Sequence, residues 1–227
     1  MPTDSIWDFY LDNMKSEDFR GKRVLEIGSY HKFGGIRNFV EKYMQPSLYI
    51  GVDIRPGHNV DVIARLDDLL KIFNNVYFDI IILTEVMEHI KDYISAVGII
   101  KKLLSNNGLV YITTRSYGFG IHYAPLDYWR YEISDMQTLF SDFNILKLER
   151  DNQFPGIFLV ARKESLFDEN LVQVPTDGLY SILIGKKTTN VIEITQARTI
   201  VKLTFLLHNS NFKLFHYAGA VINHFII

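Results

Sequence analysis

Compact apolar runs alternate with amphipathic stretches along the first two thirds of the chain. The runs are the length of single strands and have almost no polar position, which predicts strands buried on both faces at residues 23–28, 48–53, 78–83 and 108–114. Between them, apolar residues recur at helical spacing over residues 36–44 and 93–104, with a shorter helix over residues 66–73. This alternation indicates βαβ units and a parallel sheet.

The order of elements changes after the fourth of these strands. Ser134 and Gln137 have the spacing of a capping box, which predicts a helix through Phe140. Residues 143–148 and 157–161 then predict two strands that run antiparallel, because the loop between them is too short for a helical crossover. The predicted fold class is α/β, with a Rossmann-like, mostly parallel sheet and a terminal antiparallel strand pair.

The character of the sequence changes again after residue 163. Residues 164–190 show no regular period, whereas 191–208 and 212–227 are apolar and helix-like. We expect one domain over residues 1–163 and a C-terminal extension over residues 164–227 that ends in a helical hairpin. An apolar helix must be buried against something. Packing on the same chain, a homodimer contact and a shallow peripheral contact with a membrane are the alternatives.

Composition narrows the classes of function. The 227 residues carry a formal net charge of −2, which disfavours tight binding to nucleic acid. The chain has no cysteine, which excludes disulfides and thiolate nucleophiles. The seven histidines show no paired ligand spacing, so no metal site is predicted. The polar N-terminus lacks the apolar core of a secretory signal, so a cytoplasmic protein is expected.

Two residues at predicted strand ends indicate a nucleoside site. Gly28 ends the first strand and Gly34 precedes the next helix, a spacing that differs from the G-x-G-x-x-G of a dinucleotide site and better suits a ligand without a phosphate. Asp53 ends the second strand, where a carboxylate can accept hydrogen bonds from both ribose hydroxyls. Taken alone, Gly28 could form a purely structural turn and Asp53 could be a solvated aspartate. The two residues together favour a nucleoside site.

Four segments resemble the class I S-adenosylmethionine-dependent methyltransferases over about residues 20–162: VLEIGSY, YIGVDIRPG, FDIIILTEVMEHI and NNGLVYITT. The segment HYAPLDYWRY, which begins at His122, is similar to one found in type 11-like methyltransferases that act on small molecules, often in glycan biosynthesis. The resemblance implies S-adenosylmethionine as cofactor. It also implies methyl transfer to a small-molecule or glycan-like acceptor, which we expect to occur at oxygen.

The resemblance also implies a set of cofactor-binding residues. Glu26, Gly28 and Ser29 would line the methionine and ribose, and Asp53 would hold the ribose hydroxyls. Ile54 would pack on the adenine, whose edge would meet the segment from Asp67 to Leu69. The complete predicted set is Glu26, Gly28, Ser29, Tyr30, Asp53, Ile54, Asp67, Asp68, Leu69, Thr84 and Glu85.

The acceptor side has its own candidates. His122 follows the fifth strand of the resemblance and is the preferred general base, since histidine titrates near neutrality; an ordinary loop histidine is the alternative. His89 and Glu85 are further catalytic candidates. The predicted acceptor-binding residues are His31, Tyr123, Tyr128, Trp129 and Arg130, although Trp129 could instead anchor the loop.

Other functions stay open at this point. A non-catalytic S-adenosylmethionine-binding protein would have the same cofactor motifs, and the acceptor could be a lipid or another metabolite. A nicotinamide oxidoreductase is disfavoured by the missing G-x-G-x-x-G.

Overall fold

A seven-stranded sheet forms the centre of the protein. The computed structural model describes residues 3–31, 35–122, 126–164 and 172–190, together with Ile194. The strand order in the sheet is β3-β2-β1-β4-β5-β8-β7. Its strands are β1 (Arg23–Ile27), β2 (Leu48–Asp53), β3 (Val62–Ile63), β4 (Phe78–Thr84), β5 (Leu104–Arg115), β7 (Phe143–Arg150) and β8 (Gly156–Lys163).

The pairing confirms the predicted fold class. Strands β3, β2, β1, β4 and β5 are parallel neighbours. Strand β8 pairs antiparallel with both β5 and β7. The chain order reverses between β1 and β4, and at such a point the strand ends diverge and leave a crevice in which open α/β sheets bind ligands.

Helices cover both faces of the sheet, as its apolar strands require. On one face pack α1 (Asp4–Asn13), α2 (Ser16–Phe19) and α3 (Arg37–Phe39), which continues as a π-helical segment over Val40–Met44. On the other face pack α4 (Leu69–Ile72), α5 (Tyr93–Leu103) and α6 (Ile133–Leu139). A 3₁₀ turn at Leu66–Asp68 precedes α4. None of the described helices is long and apolar enough to cross a membrane.

Two details differ from the sequence prediction. Helix α6 is capped by Glu132 and Asp135, not by Ser134 and Gln137. The side chain of Glu132 accepts a hydrogen bond from the backbone amide of Asp135, and the side chain of Asp135 accepts one from the backbone amide of Glu132. Residues 164–190 are not wholly irregular either. Strands β9 (Leu179–Ser181) and β10 (Lys186–Thr188) form a second sheet with β6 (Trp129–Arg130).

The second sheet joins residues on either side of the predicted domain boundary at residue 163. Trp129 pairs with Ser181 and Arg130 with Tyr180, so the segment after β8 supports the loop that leads into α6. The division into two parts stays a prediction. The predicted helical hairpin, residues 191–227, lies outside the described residues apart from Ile194.

Candidate active site

A cavity of about 600 Å³ opens at the carboxyl ends of β1, β2, β4 and β5. Its position is the one that the topology favours, because β1 and β4 diverge there. Most of the residues predicted from the sequence line it: Glu26, Gly28, Tyr30, His31, Asp53, Ile54, Asp67, Thr84, Glu85, His89, His122 and Tyr128. The walls also include Ile36, Val52, Arg55, Val86, Arg115 and Leu126.

Gly28 makes the turn that opens the cavity. Its backbone has a φ of 79°, in the left-handed region, and an added Cβ would lie 2.2 Å from Cγ2 of Val86. The Gly28 and Ser29 amides both donate to the carbonyl of Val52, at 2.8 and 3.0 Å. Both conformation and space therefore require glycine here, and the backbone rather than a side chain forms this wall.

Asp53 presents an oriented carboxylate to the cavity. Its Oδ2 accepts from the Tyr30 amide at 3.2 Å and its Oδ1 from the Arg55 amide at 2.9 Å. Each carboxylate oxygen has further lone pairs for a ligand. Beside it, the side chain of Ile54 is 47% exposed, an apolar surface suited to a flat ring. Asp53 can thus receive two adjacent hydroxyls while Ile54 supports the attached base.

Glu26 lies deeper on the same wall. It is buried, and its Oε2 accepts from the Tyr49 hydroxyl at 2.9 Å. Burial raises the pKa of this carboxyl to about 7, although the Tyr49 hydrogen bond lowers it in part. A ligand with hydroxyl or ammonium donors would favour the ionised form, so Glu26 offers a second polar group to a ligand in this cavity.

This raised pKa gives a testable pH dependence for the protein without ligand. Since the folded pKa of Glu26 lies above its ordinary value of about 4.5, unfolding releases a proton between these values, and stability falls as pH rises through them. Glu26→Gln keeps the acceptor for Tyr49 and removes the charge. We expect it to raise the free energy of unfolding at pH 8 by on the order of 3 kcal/mol relative to wild type.

The control is the same comparison at pH 5, measured by urea denaturation with cofactor absent. There the carboxyl of Glu26 is protonated in the folded state, so the two proteins should differ much less. An equal difference in stability at pH 5 and pH 8 would mean that the charge of Glu26 does not account for it.

Thr84 and Glu85 form the floor of the cavity at the end of β4. The Tyr10 hydroxyl, from α1, lies 2.6 Å from Oγ1 of Thr84. Glu85 has a φ of 56°, unusual for a residue with a side chain, and its amide donates to the Thr113 carbonyl at 2.9 Å. Its carboxylate forms an ion pair with Arg115. Burial, and then repulsion from Glu88, raise the pKa of Glu85.

A buried ion pair holds His122 at the acceptor side. Arg130 donates to Asp127 through Nη1 at 2.6 Å and through Nη2 at 2.7 Å. Asp127 Oδ2 in turn contacts the His122 amide at 2.8 Å and Nδ1 at 3.0 Å. Burial acts to raise the pKa of Asp127, but the bonds from Arg130 and His122 outweigh it and lower the pKa to about 2. Asp127 therefore orients the His122 ring.

His89 lies beside His122, with ring centroids 4.8 Å apart in an edge-to-face arrangement. Its Nδ1 contacts the carbonyl oxygen of Leu126. Burial lowers the pKa of His89, which favours the neutral imidazole. Glu88, fully buried behind both rings, accepts from the Thr114 hydroxyl through Oε2 at 2.9 Å.

Five predicted residues do not line the cavity, and a sixth cannot be placed. Ser29 and Leu69 are buried in the fold. Asp67 and Asp68 are both exposed, but Asp67 lines the cavity and Asp68 does not. Tyr123 lies outside the described residues.

Trp129 and Arg130 are fully buried, which leaves neither side chain a surface for the acceptor contact predicted from sequence. Trp129 Nε1 donates to the carbonyls of Ile90 and Lys91, both at 3.0 Å. Arg130 donates to Asp127 and to carbonyls of the preceding loop. Their bonds hold the loop in place.

Sequence reasoning also missed residues that matter to the site. Arg115, at the end of β5, faces Glu85, and its guanidinium lies 4.1 Å from the centroid of the Phe119 ring. Its place directly after a predicted strand was the available signal. Nothing local indicated that Tyr10 would reach Thr84, since that contact depends on how α1 packs.

The arrangement is suited to a ligand that is polar at two points and has no phosphate between them. Two carboxylates, Glu26 and Asp53, lie on one wall. At the adjoining turn the amides of Gly28 and Ser29 both donate to the Val52 carbonyl and do not point at a ligand. Carboxylates repel a pyrophosphate and attract hydroxyl and ammonium groups. The cavity thus suits a nucleoside attached to an amino acid, with a second, histidine-lined region beyond it.

Comparisons with known proteins agree with this chemistry. A family model described as a methyltransferase domain matches residues 6–155. No curated protein matches the chain in sequence. Among solved structures, an S-adenosylmethionine-dependent methyltransferase from Mesorhizobium loti is 14% identical with a TM-score of 0.53, and the match covers 70% of this chain and 98% of that one.

Two further structures resemble the chain at similar levels. The N-methyltransferase NodS from Bradyrhizobium japonicum is 12% identical with a TM-score of 0.53, covering 72% of this chain and 98% of that one. The 1,6-didemethyltoxoflavin-N1-methyltransferase from Burkholderia thailandensis is 16% identical with a TM-score of 0.51, covering 64% and 72%. At these identities the likeness shows a shared fold.

Proposed function

Because the chain belongs to the class I S-adenosylmethionine-dependent methyltransferases, we propose that it transfers a methyl group to a small-molecule or glycan-like acceptor, at oxygen. The observation that carries the proposal is the pair of adjoining regions in one cavity. Asp53 presents an oriented carboxylate at one end, and His122 is fixed by Asp127 at the other. An acceptor bound between them lies next to the cofactor.

The cofactor half of the cavity fits S-adenosylmethionine. We propose that Asp53 accepts from the ribose hydroxyls, that Ile54 and Asp67 meet the adenine, and that Glu26 and Thr84 lie along the methionine. S-adenosylmethionine supplies an electrophilic methyl group on a sulfonium sulfur. Gly28 presents backbone and no side chain to the cavity, which would let that ligand approach closely.

The other half must align the acceptor and make its oxygen nucleophilic. Methyl transfer is an in-line displacement, so the protein contributes mainly by orientation and by removing water from the reacting atoms. We propose that His122 activates the acceptor hydroxyl. Its Nδ1 contacts Asp127, which leaves Nε2, 3.7 Å from Oε1 of Glu88, as the nitrogen that can accept a proton. Tyr128 and Leu126 provide apolar wall for the acceptor's carbon skeleton.

The size of the cavity supports a small acceptor. About 600 Å³ lies within the range of small-molecule sites, and the cofactor fills much of it. A nitrogen acceptor is the second candidate, because two similar structures are N-methyltransferases by name. The hydroxyl is preferred because the cluster of Glu88, His89 and His122 could help to remove its proton.

An acceptor screen tests the proposal. Purified protein and S-adenosylmethionine are incubated with matched pairs of hydroxyl and amino compounds, including sugars and phenols, and formation of S-adenosylhomocysteine is measured. We expect turnover with hydroxyl compounds. Turnover confined to the amino member of each pair would contradict the oxygen assignment, and cofactor binding without turnover on any acceptor would favour a non-catalytic binding protein.

A further inference from the structure

Three atoms converge where the acceptor would bind: Oε1 of Glu88, Nε2 of His89 and Nε2 of His122. The two imidazole nitrogens lie 3.8 and 3.7 Å from the same carboxylate oxygen. One ligand atom from each residue lies within 4.8 Å of those of the other two. Both histidines line the cavity, and Glu88 is fully buried next to them.

The far side of each ring fixes which nitrogen carries the proton. Nδ1 of His122 contacts the Asp127 carboxylate, and Nδ1 of His89 contacts the Leu126 carbonyl. Both partners are acceptors, so each Nδ1 must be the donor. In the neutral rings each Nε2 therefore carries a lone pair, and both lone pairs lie near Glu88 Oε1.

Three atoms that can donate an electron pair therefore face one another here. The separations of 3.7 and 3.8 Å are too long for hydrogen bonds. Oε1 is buried and has no hydrogen-bond partner, whereas Oε2 is satisfied by Thr114. A buried carboxylate oxygen without a partner is costly, which indicates that something absent from the protein itself belongs there.

The surrounding charges indicate that the missing partner is a cation. Asp127 is paired with Arg130 and Glu85 with Arg115. Within the part of the chain that the structure describes, Glu88 has no arginine or lysine of its own as an ion-pair partner. Oε1 is almost equally far from the two imidazole nitrogens, at 3.8 and 3.7 Å, as it would be beside an ion that all three atoms bind.

We propose that Glu88, His89 and His122 bind a divalent transition-metal ion, of which Zn²⁺ is the best match. Two imidazoles and one carboxylate are a donor set typical of catalytic zinc sites, which keep a further position open. Ligand atoms on one tetrahedral zinc lie about 3.3 Å apart, because each bond is about 2.0–2.1 Å long. The three ligand atoms lie within 4.8 Å of one another here, so ion binding would draw the two rings inward.

The second shell has the form that metal-bound histidines usually have. A ligating imidazole almost always donates its other N–H to a carboxylate or a backbone carbonyl, which fixes its orientation. His122 does so to Asp127 and His89 to Leu126. Arg130 in turn holds Asp127 with two hydrogen bonds. These hydrogen bonds therefore orient both imidazole rings in the protein without an ion.

This inference deepens the proposed function and rests on it only for the role of the ion in catalysis. Because His89 and His122 line the cavity, an ion bound by them would be accessible to an acceptor oxygen there. A bound cation favours the ionised hydroxyl, whose proton leaves to water at the cavity mouth. His122 is then a ligand of the ion, not the general base predicted from its sequence position.

Metal binding can be measured without cofactor or acceptor. Full-length protein treated with a chelator is titrated with Zn²⁺ by calorimetry and with Co²⁺ by visible absorption. We expect one ion per chain, with tetrahedral Co²⁺ bands. Glu88→Gln and His89→Ala should each weaken binding by at least about 100-fold, since even second-shell changes cost 10–100-fold. His58→Ala, an exposed histidine outside the cluster, should bind as wild type does.

Binding of S-adenosylhomocysteine to each variant shows that the fold and the cofactor half are intact. No stoichiometric ion in wild type, or binding that survives both Glu88→Gln and His89→Ala, would overturn the site. Full methyl transfer by metal-free protein would overturn the catalytic role of the ion and leave the proposed function standing. A bound ion with no methyl transfer to any acceptor would contradict the proposed function and leave the site standing.

Discussion

His122→Ala is expected to lower turnover by roughly 10²–10⁴-fold, the range for loss of a group that activates a reacting oxygen. The side chain lies at the acceptor end of the cavity and is held by Asp127, so its removal takes away activation without touching the residues around Asp53. Single-turnover kinetics with the best acceptor from the screen measure the effect. The affinity for S-adenosylhomocysteine should change little.

His58→Ala is the matched control, because it removes an exposed histidine that belongs to neither half of the cavity. It should turn over at the wild-type rate. If His122→Ala were as active as this control, His122 would be an ordinary loop residue, and His89 and Glu85 would become the catalytic candidates.

Asp53→Ala is expected to weaken S-adenosylhomocysteine binding by roughly 10²–10⁴-fold. The carboxylate is oriented by the Tyr30 and Arg55 amides and can accept two ribose hydroxyls. Hydrogen bonds to charged groups contribute about 1.5–3 kcal/mol each, and two of them account for this range. Calorimetry measures the loss directly.

Two variants make the Asp53 experiment specific. Asp53→Asn keeps the shape and one acceptor but loses the charge, so its affinity should fall between those of wild type and Asp53→Ala. Asp8→Ala, on an exposed face of α1, should bind as wild type does. Equal affinities for Asp53→Ala and Asp8→Ala would remove Asp53 from the cofactor site.

The fold was predictable from the sequence because the signals that specify it are local. Strands of a covered parallel sheet have no polar face, so β1, β2 and β4 stand out as continuous apolar runs. The short loop between β7 and β8 was sufficient to predict their antiparallel pairing. Strands β9 and β10 were not predictable, because three-residue strands depend on the partner that β6 provides.

That Gly28 and Asp53 line one cavity was predictable for a related reason. They lie at the ends of neighbouring strands, and the topology brings strand ends together without any knowledge of loops. The choice between Asp67 and Asp68 was not predictable, because the 3₁₀ turn at Leu66–Asp68 sets which side chain faces the cavity. Sequence position alone identified the segment but not which of its two aspartates lines the cavity.

The acceptor half depended on packing that spacing does not reveal. His89 and His122 are far apart in the chain, and the absence of paired histidine spacing led to the prediction of no metal site. The loop that brings the rings together is held by Arg130 and Trp129, whose buried bonds satisfy Asp127 and backbone carbonyls. From the sequence, the polar and aromatic residues of that loop suggested an acceptor-binding surface. In the structure Trp129 and Arg130 are buried and hold the loop in place.

Calorimetry of the wild-type protein shows most directly whether this cavity binds an adenosyl cofactor. The protein is titrated separately with S-adenosylhomocysteine and with NADH under the same conditions. We expect one saturable site for S-adenosylhomocysteine and no binding of NADH, whose pyrophosphate would face Glu26 and Asp53. Saturable binding of NADH with none of S-adenosylhomocysteine would contradict it.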